Sequence, residues 1–248
     1  MSTPLFGGQD EADDERLARI LGDSAPAGTA PLGGTAPLAG TAPPSGTAPP
    51  EATVFPRLVP AAADLHELGW EYATSMLPGT LTLYVHDLPD MYRYFTSDTV
   101  ARYDPEELFE TAMSNLRSAP VDGPERIGQD VWMVTGDHAG ALALLLPEVL
   151  TGCTGRDDFV HGALVATPVN SALLYHVPAG PDLAVALEQL AGMAADAFTR
   201  DERTRVTPAV YWWDGRDRIE QVTNLDAGEI AVHLDGPFGE HYGYLTGG

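Results

Sequence analysis

The stretch "TLTLYVHDLPDMYRYFT" (Thr80–Thr96) decides how the chain is read. Leu81, Leu83 and Val85 alternate with polar or aromatic neighbours, the period of a half-buried strand. Tyr92, Tyr94 and Thr96 alternate with Arg93 and Phe95 in the same way. The "HDLPD" between them has the proline and aspartates of a tight turn, so two antiparallel strands are expected here. The same five residues bring together His86, Asp87 and Asp90, oxygen and imidazole groups that could ligate a metal or exchange a proton. Turn and site are therefore competing readings of one segment.

Six further stretches have strand character: "DVWMVTG", "GALVATPV", "SALLYHV", "AVYWW", "RIEQVTN" and "EIAVHL". Short turns near Val169–Ser171 and at Asp214–Gly215 link two pairs of them. Helices are signposted separately. "YDPEELFETAMSNLRSAP" has Asp104 as cap, Pro105 at the first helical position and Glu107 for a capping box. Its stripe is Leu108, Phe109, Ala112, Met113 and Leu116, with Asn115 at the edge and in need of a backbone partner. "PDLAVALEQLAGMAADAFTR" predicts a second helix, capped by Asp182 and buried through Leu183, Leu187, Leu190 and Phe198. "GALALLLPEVL" predicts a third, although a buried strand would look similar. Two to three helices among hairpin-linked strands give an α+β domain with an antiparallel or mixed sheet.

That domain is expected over residues 54–248, which hold all four tryptophans. Residues 24–53 repeat GTAP every six residues from Gly28; proline and glycine leave almost nothing to bury, which predicts a disordered linker. Residues 1–23 form an acidic segment in which Leu17, Ile20 and Leu21 have the spacing of a short helix.

The chain carries 13 basic against 36 acidic residues, a net charge of −23, and every basic residue apart from histidine is Arg. Such a chain is repelled by phosphate backbones and anionic lipid, which argues against nucleic-acid and membrane partners. A basic protein, a divalent cation or an amine is favoured instead. Cys153 is the only cysteine, so no intrachain disulfide can form. With no secretory leader in the first twenty residues and no apolar run long enough to span a bilayer, a cytoplasmic location is expected.

Catalytic motifs are scarce. "HELGWE" has Trp70 where a zinc-protease helix needs its second histidine. "TGCTG" places Cys153 at the centre of a faint nucleophile elbow that lacks the first glycine. "GDHAG" supplies His138, and "RDDFVH" supplies Asp158 and His161. There is no P-loop, dinucleotide fingerprint or paired CxxC, so no cofactor or bound metal is expected. The aromatics of "YRYF" and "YWW" stand beside the acidic excess and would suit an interface: Tyr92, Tyr94 and Trp213, together with Asp13, Asp14 and Glu15 of the N-terminal segment.

Taken in order, "YVHDLPDMYRYFT", "LFETAMSNLR", "LLLPEVL", "ATPVNSALLYHV" and "PAVYWWDGRDRIEQV" resemble the YtpQ-like family of uncharacterised bacterial proteins, a domain of unknown function. The resemblance covers about Val54 to Val222 and implies a cytoplasmic α+β domain without implying an activity. It departs from the family pattern at "PVNSAL", where Ser171 and Ala172 follow Asn170 in place of an Arg-Asp pair.

Three functions fit this reading. The first is a non-enzymatic acidic module that binds a basic protein, of inhibitor, immunity or adaptor type. The second is a metal-dependent hydrolase of unfamiliar type using His86, Asp87, Asp90, His138 and Asp158. The third is a structural component of a larger assembly, with the oligomeric state open.

Overall fold

The computed structural model describes residues 53–61, 65–89, 91–180 and 182–247. The repeat segment and the acidic N-terminal segment, with Asp13, Asp14 and Glu15, lie outside the described residues, as does Asp90.

The fold is α+β, built on antiparallel sheets. Strands β1 (Val54–Pro60), β2 (Thr80–Leu88) and β3 (Met91–Tyr94) form a three-stranded sheet in that order. The β2–β3 hairpin pairs Leu88 with Met91. His86 and Asp87 are strand residues paired with Arg93 and Tyr92. Two one-turn helices, α1 (Leu65–Leu68) and α2 (Ser97–Val100), flank this sheet. Helix α3 (Pro105–Ser118) packs on it, held by Asn115, whose Nδ2 donates to the Val54 carbonyl at 2.9 Å. Asp104 Oδ1 accepts from the Glu106 and Glu107 amides, which is why the helix starts there.

The larger sheet has six strands in the order β4 (Asp122–Arg126), β5 (Trp132–Thr135), β7 (Ala172–His176), β6 (Ala163–Ala166), β8 (Val210–Trp213), β9 (Ile219–Gln221). Both its faces are covered. On one, a 3₁₀ run over Ala139–Leu145 and helix α4 (Leu146–Thr154) meet Val165, Leu173, Tyr175 and Trp213. On the other, helix α5 (Leu183–Arg200) packs through Leu183, Leu187 and Leu190 on Leu164, Leu174 and Trp212. A small β10–β11 hairpin (Thr223–Asp226, Glu229–Val232) and helix α6 (Pro237–Thr246) complete this face. Covering both faces explains why "VYWW" and "ALLYH" are buried at every position instead of alternating.

Several expectations are corrected here. Trp213 is 3% exposed and belongs to the core, and Trp212, at 6%, is buried in the opposite layer. Trp213 therefore leaves the set of interface anchors. Asp182 stands at the start of α5 but makes no side-chain cap, because its own backbone is already helical (φ −73°, ψ −7°). Phe198 is only half-buried, with the Arg205 guanidinium 5.0 Å from its ring centre.

Candidate functional site

The polar centre of the molecule lies where the small sheet meets the 3₁₀ run. Strand alternation places Phe55 and Arg57 of β1, Asp87 of β2 and Tyr92 of β3 on one face of that sheet. His138 arrives from the larger sheet, one residue before the 3₁₀ run begins. Gly140 sets its position. A Cβ there would lie 2.7 Å from both Thr167 Oγ1 and the Val169 carbonyl oxygen, so only glycine lets the run press against the β6–β7 connection. Gly140 N–H also donates to the Asn170 carbonyl at 2.8 Å, and Asn170 in turn donates to the Thr204 carbonyl through both its backbone N–H and Nδ2.

His138 Nε2 lies 3.0 Å from Asp87 Oδ2. The imidazole stacks on Phe55 with ring centres 3.9 Å apart and planes 6° apart. The Arg57 guanidinium sits 3.9 Å over the ring of Tyr92, whose edge approaches His138. Burial is the main force on the titration of His138 and pushes it below its ordinary value. Asp87 and Asp137 oppose that push, while Arg57 reinforces it. The neutral ring thus carries its hydrogen on Nε2, since a carboxylate can only accept. Burial raises the Tyr92 hydroxyl, which stays protonated.

The five residues considered for a hydrolase are not gathered into one site. Asp87 and His138 meet. His86 points to the opposite face of the sheet, sharing a 3.1 Å hydrogen bond with the Thr53 hydroxyl and packing on Phe95. Asp158 is exposed in the loop between α4 and β6, and Asp90 lies outside the described residues. Among the described residues no group of three or more His, Cys, Asp or Glu side chains could hold a metal ion. His138 Nδ1 is buried without a hydrogen-bond partner. No described hydroxyl or thiol bonds either nitrogen of the ring. Cys153 is in the last turn of α4, where burial pushes its thiol up, although a hydrogen bond with Tyr175 partly opposes this.

Sequence reasoning missed Arg57, which is 5% exposed with Nε and Nη1 lacking partners. An arginine in a segment with two prolines gave no strand signal. It also missed two open apolar hollows. The first, about 50 Å³, is lined by Pro56, Tyr84, Phe109 and Met113 among others. The second, about 130 Å³, is lined by Leu146, Pro147, Trp213 and Ile219 among others. Met76 and Leu144 border both. Tyr92 and Tyr94 are half-buried, with Tyr94 against Trp70.

Among the described residues no helix is long and apolar enough to cross a membrane. No protein-family model, curated protein or solved structure matches the chain.

Proposed function

We propose that the chain is a non-enzymatic acidic module that recognises a basic protein partner. The observation that carries this reading is the charge of the folded part. Residues 54–248 hold 29 of the 36 acidic side chains but only 11 arginines. Glu106, Glu107, Glu110, Asp122, Asp157, Asp158, Asp217 and Asp226 all face solvent. Such a field attracts cationic surfaces and speeds their association. The Asp87–His138 pair supports the same side of the choice, since it serves to tie the small sheet to the start of the 3₁₀ run. A cytoplasmic location and the YtpQ-like likeness belong to this proposal and add no activity to it.

The test uses the full chain as bait in native lysate, with bound proteins identified by mass spectrometry. One stoichiometric basic partner, released as salt is raised, is the expected result. A partner that is acidic, or retention that salt does not touch, would sink the reading.

A further inference from the structure

We propose that helix α6 is an acid-released strap, held down while His161 and His241 are both neutral and let go when either ring takes up a proton. α6 belongs to no sheet. Its one fully buried side chain is Phe238, and Tyr242 and Leu245 are partly buried against the same layer. Phe238 rests on Trp212 with ring centres 5.8 Å apart, and Trp212 also stacks on His241 at 5.3 Å with planes 28° apart. The first turn is tied by the Phe238 N–H, which donates to Glu220 Oε2 at 3.3 Å. An element with so few anchors can detach without breaking a strand ladder.

His241 faces His161, which stands just before β6, with ring centres 5.3 Å apart and planes 43° apart. The loop is fixed there because Trp212 Nε1 donates to the His161 carbonyl at 3.2 Å. His161 Nδ1 and His241 Nε2 are both buried without a hydrogen-bond partner. A neutral imidazole can leave one nitrogen as a bare lone pair, whereas an imidazolium donates from both. Protonating either ring therefore creates a buried N–H that no acceptor meets, against a second ring able to charge. No carboxylate offsets this cost. Burial and then His161 hold His241 below its ordinary range, opposed by the His161 backbone. Glu220 of β9, Asp182, Glu188 and Asp196 of α5, and Glu240 of α6 itself do not contribute to its titration.

On the released helix both rings stand in water and titrate near pH 6.5. The released state then binds protons that the docked state refuses. Docking is fully present above about pH 6.5 and weakens as the pH falls below it. Release uncovers Trp212 and Phe238, which are 6% and 0% exposed in the docked state. The strap needs no partner, so its failure leaves the acidic-module reading untouched.

Hydrogen exchange of the full chain, followed by mass spectrometry and corrected for the intrinsic rate at each pH, reads the helix directly. From about pH 7.5 to about pH 5, protection of the α6 amides should fall about tenfold or more beyond any loss in α5 and β8. His241→Phe keeps a ring to stack on Trp212 but cannot be charged, and should hold α6 protected across that range. His161→Gln removes the facing charge and should move the release to lower pH. Both variants are first compared with the parent at neutral pH; if His241→Phe does not dock there, His161→Gln decides alone. Protection of α6 that falls no further than that of α5 and β8 would overturn the proposal. So would a release that neither variant alters, since histidine charge would then not drive it.

Discussion

His138 donates from Nε2 to Asp87 Oδ2 at 3.0 Å, joining a strand of the small sheet to the start of the 3₁₀ run across 51 residues of chain. The imidazole is 5% exposed, whereas the carboxylate still touches solvent. A hydrogen bond to a charged group in such a place is worth about 1.5–3 kcal/mol. Removing either partner leaves the other without its match. Asp87→Ala and His138→Ala should therefore each lower the thermal midpoint by several degrees, at about 2–4 °C per kcal/mol for a domain of this size. The double variant should lose less than the sum of the two. Full additivity would mean that the two side chains do not act on each other.

The same burial gives stability a pH dependence. His138 is held below its ordinary range mainly by burial, His86 by burial and by Arg93, and His241 by burial and by His161. In the unfolded chain these imidazoles take up protons near pH 6.5. The folded state resists protonation until the pH is lower, so between those two values the unfolded state binds more protons. Their contribution is then fully present above about pH 6.5 and is lost as the pH falls toward the folded values. Denaturant unfolding at a series of pH values should show stability dropping from neutral toward pH 5. His138→Gln, which keeps a donor for Asp87 but cannot titrate, should flatten part of that drop. An unchanged slope in His138→Gln would remove His138 from the account.

How far the sequence could be read depends on which signal each element carried. The β2–β3 hairpin was legible because alternation and the Leu-Pro-Asp turn agree. α3 was legible because Asp104 and Pro105 mark its start on physical grounds that tertiary packing does not override. β1 was hidden by Pro56 and Pro60, which read as breakers. It is an edge strand paired with β2, a setting where a strand tolerates missing N–H groups. β4, with Pro124, is an edge for the same reason. "GALALLLPEVL", read as one helix, is a 3₁₀ run followed by α4, with Pro147 in the first turn of α4. Of the site, Asp87 and His138 could be named as chemical candidates, but their meeting could not be foreseen. They are distant in sequence, and only the packing of two sheets brings them together. Trp213 was misjudged because a strand covered on both faces gives no alternation to distinguish core from surface.

Gly140 should be intolerant of even a methyl group. A Cβ would fall 2.7 Å from two oxygen atoms, one of them backbone, and the 3₁₀ run would have to move away from the β6–β7 connection. Overpacking of this kind costs about 1–3 kcal/mol. Because the shift also moves His138, Gly140→Ala should weaken the coupling measured between His138 and Asp87. A variant as stable as the parent, with the coupling intact, would show that the connection yields at no cost.

Cys153 offers a direct check on the faint nucleophile elbow. An elbow would hold its sulfur on a sharp turn between strand and helix, beside a base. Here the residue lies in the final turn of α4, which Gly155 ends in the left-handed region (φ 67°). Its thiol is half-buried and bonds with the hydroxyl of Tyr175, itself pushed up by burial. The thiolate is the reactive form, and burial disfavours it. At pH 7.5 the native protein should thus react with a disulfide reagent about tenfold or more slowly than free cysteine, and at the free rate once unfolded. Tyr175→Phe removes a bond that favours the thiolate, so it should not speed the reaction. Labelling of the native protein faster than free cysteine would instead mark an activated nucleophile and reopen the enzymatic reading.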